Sequence, residues 1–249
     1  MIHLKTPSEI EAMAKSGALL ASVLAALKAA ARPGVRTRDL DTLAARLIRR
    51  GGATPGFLGY RGFPASLCVS INDEIIHGIP GFRRLKEGDL VSLDLGLILN
   101  GWWADAGLSL VMEPTKPLAS RLVATTQEAL AKGIQAALVG GHLEDISFAI
   151  QAHVEAAGFG IVSAYSGHGL GRQMHEEPPV FNTGGSGNGP LLVPGMVLAI
   201  EPMVTAGSPS VYVKPDGWTV ATSDHSLGAY FEHSVAITKD GPRILTAPL

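Results

Sequence analysis

Residues 92 to 107 read SLDLGLILNGWWADAG. Asn100-Gly101 is a strong two-residue hairpin signal, flanked on both sides by apolar runs. With that turn, Leu99 faces Trp102 and Asp94 faces Gly107. Asp105 then lies on the same face as Asp94, as its diagonal neighbour across the strands. Aspartate is depleted from strands, and a buried carboxylate is costly unless its charge is compensated. No Lys or Arg occurs between Glu87 and Thr115, so nothing local neutralises the pair. A cation between the two carboxylates would remove the difficulty.

Two more acids lie in equally apolar segments, Glu201 in VLAIEPMV and Glu232 in AYFEHSVAI, and again no Lys or Arg lies between Gln173 and Val213 or between Pro215 and Thr238. One such acid is commonly paired with a basic residue distant in sequence. Four without local cations point instead to metal. Carboxylates with one or two histidines form a hard, oxygen-rich donor set suited to a pair of divalent ions, which typically activate water for hydrolysis. The histidine candidates are His77 (EIIHGIP), His168 (SGHGLG) and His175 (QMHEEP), each among Gly or Pro where site residues tend to be placed. His3, His142, His153 and His225 lack such context, and His233 should face away from Glu232. Cys68, in a strand-like run, reads as a small buried packing residue.

The rest of the chain places these residues in a mixed α+β protein. Thr6, Pro7 and Glu9 announce a first helix reaching about residue 31, and a second spans roughly 38–50. Helices of about 119–138 and 144–157 follow the hairpin. Strands are expected near 67–71, 161–166, 196–204, 211–213, 218–222 and 229–238, with FNTGGSGNGP (181–190) a flexible loop. Asp39, Leu40, Ile48 and Gly52 match Asp145, Ile146, Val154 and Gly158 at an offset of 106, and GDLVSLD (88–94) matches GMVLAIE (195–201) at 107. This reads as an internal duplication, with halves of about 1–115 and 116–249 forming one catalytic domain and Asp94 and Glu201 in equivalent places.

A formal charge of -2 gives no electrostatic reason to expect nucleic acid or an anionic membrane as partner. A single cysteine rules out an internal disulfide and suits a reducing compartment. The N-terminus lacks the apolar core of a secretory signal, and ALLASVLAALKAAA (18–31) is too short to span a bilayer, so a cytoplasmic location is expected.

Taken together, the residues resemble the methionine aminopeptidases. The spacing of Asp94, Asp105, His168, Glu201 and Glu232 resembles that family's five metal ligands, and KTPSEIEAM, INDEIIHGIPG, SLDLG, SGHGLG, HEEP, IEPM and FEHSVAIT resemble its local contexts from Ile2 to Leu245. With only 33 residues from His168 to Glu201 and no N-terminal extension, the chain is similar to the short bacterial type I form. The resemblance implies the duplicated pita-bread fold with pseudo-twofold halves around a dinuclear centre. It implies two divalent ions (Co, Mn, Fe or Zn) held by those five residues, with Asp105 and Glu232 bridging and Glu201 the general base. His175 would stabilise the tetrahedral intermediate and His77 would contact the scissile amide. Tyr60, Phe63, Cys68, His77, Met174, His175 and Trp218 would bind substrate. Phe57 and Met174 depart from the commonest pattern, apolar for apolar, which touches side-chain preference and leaves the chemistry alone.

The implied substrate is the N-terminal methionine of peptides and nascent chains whose second residue is small. A transient ribosome encounter and a monomeric state are expected. Prolidases and Xaa-Pro aminopeptidases resemble the chain in ligands but usually carry a further N-terminal domain. A ligand-free pita-bread binding module fits poorly, because all five positions are filled.

Overall fold

A computed structural model describes residues 1–247. Thr6 caps the first helix, α1 (Pro7–Ala30), by a reciprocal capping box with Glu9, as the sequence pattern predicts. The helices α2 (Thr37–Arg50), α3 (Pro117–Ala136) and α4 (Leu143–Ala156) follow within two residues of expectation. Both α2 and α4 stop at glycines in the left-handed region, Gly52 and Gly158 (φ 78° in each), the pair matched by the offset of 106.

The helices flank a nine-stranded antiparallel sheet. Its path runs through Thr54–Pro55, Leu90–Leu99, Trp102–Val111, Glu232–Thr238, Val197–Ile200, Ser166–Gly169 and Glu176–Phe181. Cys68–Ile71 pairs with Leu90–Leu99, and Gly241–Ile244 pairs with Glu232–Thr238. One apolar cluster lies under α1 and α2, around Leu20, Leu27, Leu40, Ile48 and Leu93. A second lies under α3 and α4, around Leu122, Ile146, Ile150, Leu198 and Val235. At 24 residues α1 is long and apolar enough to cross a membrane, but half of its most apolar 18-residue stretch is buried against the rest of the molecule. That burial explains its hydropathy.

Three expected strands are broken. The segment 196–204 is interrupted after Ile200 and resumes at Met203–Thr205, because Pro202 cannot donate to a ladder. The segment 229–238 divides at Phe231 into Gly228–Tyr230 and Glu232–Thr238, which join different sheets. The segment 161–166 contains only the ends of two strands, Gly160–Ile161 and Ser166–Gly169. Residues 181–190 are better tied down than their composition suggests. Asp145 accepts hydrogen bonds from Ser186 Oγ and Gly187 N, and Glu144 accepts one from Gly185 N, so the loop is strapped to the start of α4.

Candidate metal centre

The hairpin forms in the register read from its turn. Asn100 and Gly101 both take positive φ (52° and 79°), as the tight hairpin turn requires, and Leu99 pairs with Trp102. Asp94 then faces Gly107, and Asp105 faces Gly96.

Register alone puts the five candidate ligands on one face of the sheet. Asp94 pairs with Gly107, two residues from Asp105, and Gly107 also pairs with Glu232 on its other side. Two residues beyond Glu232, Ser234 pairs with Ala199, and His168 pairs with Ala199 from the opposite strand. Glu201 is two residues beyond Ala199. Since residues two apart share a face, as do cross-strand partners, all five converge.

Asp94, Asp105, His168, Glu201 and Glu232 are all buried. His168 Nε2 lies 3.6 Å from Glu201 Oε1 and 4.0 Å from Asp105 Oδ2. Donor atoms of Asp105, His168 and Glu232 fall within 4.8 Å of one another. His168 Nδ1 faces the carbonyl of Gly169 at 2.9 Å. A carbonyl only accepts, so Nδ1 carries the hydrogen and Nε2 presents its lone pair to the carboxylates. Burial also holds this imidazole neutral, with a pKa lowered to about 4.

Burial and mutual repulsion dominate the electrostatics of the four carboxylates. Burial raises Asp94 to about 7, although the Cys68 thiol and the Leu95 N–H donate to it. Burial, then repulsion from Glu232, Asp94 and Glu201, pushes Asp105 well above the carboxylate range. Glu201 and Glu232 are raised in the same way, by burial first and by neighbouring carboxylates second. Among the described residues no Lys or Arg pairs with any of the four. Three buried oxygens, Asp94 Oδ1, Asp105 Oδ1 and Glu232 Oε1, have no hydrogen-bond partner there either. Buried carboxylates with partnerless oxygens, donor atoms of Asp105, His168 and Glu232 within 4.8 Å of one another, and no basic side chain among them fit a divalent cation.

Several supports for these ligands escaped the sequence reading. Ser234 Oγ accepts the N–H of Asp105 (3.0 Å) and donates to its carbonyl (2.7 Å), locking the hairpin to the strand of Glu232. Asn182 Nδ2 donates to the carbonyl of Glu201, where the strand breaks at Pro202. Tyr230 O–H donates to Glu232 Oε2 at 2.5 Å. These contacts span 129, 19 and 2 residues. Only the last is close enough for a local sequence signal, an alternate position on one strand.

Beside the acids lies a cavity of about 260 Å³ whose lining includes Tyr60, Phe63, Cys68, His77, Met174, His175 and Trp218, together with Asp94 and Phe57. The structure thus brings together the whole expected substrate set, and adds Arg61 and Tyr165. Cys68 is buried as the cross-strand partner of Asp94, and burial, then the Asp94 charge, raises its thiol well above the usual range. His77 is held in the left-handed region (φ 60°), an uncommon conformation for a non-glycine residue that turns up at sites where geometry is constrained. Burial, then the nearby His175, lowers its pKa to about 4. The His175 ring lies 4.2 Å from the His168 ring, centroid to centroid and inclined at 54°, and its Nδ1 meets the Tyr60 hydroxyl at 2.8 Å. The cavity adjoins a wider cleft of about 640 Å³, bordered by His168, His175, Arg172 and Glu176 and by Met1 and His3 of the N-terminal segment. His233 points away from the acids, its Nδ1 2.9 Å from Thr246 Oγ1.

The sequence model of metallopeptidase family M24 matches residues 11–239. The chain belongs to this family. Its relatives include the methionine aminopeptidase of Clostridium acetobutylicum, 49% identical with 99% of each chain covered, and methionine aminopeptidase 1 of Mycobacterium tuberculosis, 48% identical with 97% of this chain and 94% of the relative covered. The crystal structure of methionine aminopeptidase from Rickettsia prowazekii superposes with a TM-score of 0.98 at 39% identity, covering 99% of this chain and 100% of the other. Prolidase from Pyrococcus furiosus shares the fold (TM-score 0.81) at 24% identity, and 66% of its length is covered. This M24 protein therefore has the pita-bread fold and is a hydrolase of the metallopeptidase class.

Proposed function

We propose that this protein removes the N-terminal methionine from peptides and nascent chains when the second residue is small. Asp94, Asp105, His168, Glu201 and Glu232 would hold two divalent ions, of Co, Mn, Fe or Zn, with Asp105 and Glu232 shared between them. The observation that carries this reading is the set of three orphaned buried carboxylate oxygens beside an apolar cavity. Bound there, divalent ions would supply Lewis acidity and a water of lowered pKa.

The protein's own groups supply the rest. The cavity takes the thioether side chain among aromatic rings, where sulfur contacts are favourable. Glu201, its carboxyl raised by burial, is positioned to accept the proton of the attacking water and return it to the leaving amine. Burial, then the positive charge of Arg61, lowers the pKa of His175 and keeps its imidazole neutral. Tyr60 Oη lies 2.8 Å from His175 Nδ1; we assign the hydroxyl as the donor, which leaves Nε2 carrying the hydrogen that it would donate to the developing oxyanion. Neutral His77 contacts the scissile amide from the other wall. We place the protein in the cytoplasm as a monomer that meets the ribosome transiently; its single cysteine and its near-neutral charge are compatible with both.

Exhaustively metal-depleted protein is expected to be inactive on Met-Gly-Met and to recover with Co(II), Mn(II) or Fe(II). Full activity after depletion refutes the metal reading. Faster hydrolysis of Xaa-Pro than of Met-Ala peptides refutes the substrate assignment.

A further inference from the structure

The two carboxylate oxygens of Glu232 have sharply different surroundings. Oε1 is an orphan, whereas Oε2 accepts the hydroxyl of Tyr230. That hydroxyl belongs to a ring that is only 2% exposed. The ring occupies space that only a glycine leaves free: a Cβ on Gly107, the cross-strand partner of both Asp94 and Glu232, would lie 2.2 Å from Tyr230 Cε1.

Both peptide groups of Tyr230 are held as well. Ser109 Oγ accepts its N–H and donates to its carbonyl, both at 2.9 Å. Ser92 Oγ lies 2.7 Å from Ser109 Oγ and, since that hydroxyl's hydrogen is spent on the carbonyl, Ser92 is the donor. The phenol cannot swing aside without breaking this chain or entering the packed sheet. A free carboxylate rotates about its last torsion over a broad range, whereas one oxygen pinned by a fixed donor sets the plane of the group.

We propose that Tyr230 is a positioning residue for the metal centre: its hydroxyl holds Oε2 of Glu232 and so fixes the plane of the carboxylate, leaving the partnerless Oε1 in a set orientation beside Asp105 and His168. This rests on the metal reading above. Tyr230 acts through Glu232 and touches neither substrate nor ion. Outer partners that orient a ligating carboxylate are typically worth roughly 10- to 100-fold in metal affinity.

The test is calorimetric titration of Mn(II) into metal-depleted wild type and Tyr230→Phe, with thermal melts of both metal-free proteins and the Mn(II) electron paramagnetic resonance spectrum of the loaded ones. The expected result is a dissociation constant weaker by roughly 10-fold or more in the variant, with an altered Mn(II) spectrum and a cooperative melt. A folded variant with wild-type affinity and spectrum overturns the proposal. A wild type that takes up no Mn(II) overturns the metal reading instead. A measurement independent of the variant's folding is fluorine NMR of wild type carrying 3-fluorotyrosine. A buried tyrosine resonance should shift on adding Zn(II) and stay fixed in Glu232→Gln; no shift in wild type, or the same shift in both proteins, overturns the proposal.

Discussion

Asp94→Asn tests the electrostatic picture of the centre most directly. Folding raises Asp94 from 3.8 to about 7, chiefly by burial. At roughly 1.4 kcal/mol per tenfold change in acidity, that is on the order of 4 kcal/mol. The sign follows from where the proton is held. A carboxyl raised by folding contributes stability that is complete below about 3.8 and is lost as pH climbs through about 7. A melting curve of wild type alone would not isolate it. His77, His168 and His233 are all held near 4, and their contributions are lost in the opposite direction, as pH falls below 6.5. These histidines are common to both proteins and cancel in the comparison. Metal-depleted wild type and Asp94→Asn should therefore differ by an amount that moves in favour of the variant as pH rises from 4.5 to 8. The swing is at least on the order of 4 kcal/mol, or about 10 °C in melting temperature for a chain of this size, because removing the Asp94 charge also relieves Asp105, Glu201 and Glu232. Saturating Mn(II) should reverse the ranking at pH 8, because the variant loses a ligand that the ion stabilises. Denaturant titrations across the pH series measure the difference. A gap that stays flat from pH 4.5 to 8 in the metal-free proteins refutes the reasoning.

Three further outcomes follow from the geometry. Tyr60→Phe leaves His175 Nδ1 without its hydroxyl partner and should lower kcat about tenfold or more with metal content and KM little changed, read by steady-state kinetics on Met-Ala-type peptides. Gly107→Ala drives a methyl group into the Tyr230 ring and should cost roughly 1–3 kcal/mol in denaturant unfolding, together with a loss of Mn(II) affinity. Asp145→Asn acts on the strap over 183–189. Hydrogen bonds from Ser186, His142 and Gly187 lower Asp145 to about 2, so its stabilisation is present above 3.8 and lost as pH falls toward 2. The variant should narrow the gap to wild type only in that acid window, by less than about 1 kcal/mol because the group is solvent-screened, as followed by circular dichroism.

The parts of the centre legible in the sequence are those set by local rules. Asn100-Gly101 dictates its turn, the turn dictates register, and period-two alternation then puts Asp94 and Asp105 on one face. The dearth of Lys and Arg around four strand acids is likewise a one-dimensional fact with a three-dimensional meaning, since none arrives from elsewhere in the described chain. What stayed hidden is carried by pairings that no window contains. Tyr60 meets His175 across 115 residues, and Ser234 meets Asp105 across 129. Hydroxyl side chains such as Ser109 and Ser234 are ordinary in composition, and only strand pairing turns them into clamps. Pro202 is a strand breaker legible in the sequence, whereas the break at Phe231 lies where a chain leaving one sheet for another reads like one long strand. The loop 181–190 looked loose because glycine content says nothing about which carboxylates wait at the helix it lies against.

The N-terminal segment has a practical bearing on how this enzyme is handled. Met1 and His3 border the wide cleft that leads to His168 and His175. An affinity tag joined ahead of Met1 would therefore begin beside that cleft. If peptides enter by it, such a tag would act as a tethered competitor, and the expected sign is a raised apparent KM that blurs any comparison of substrates by their second residue. Rates measured before and after tag cleavage would expose the artefact.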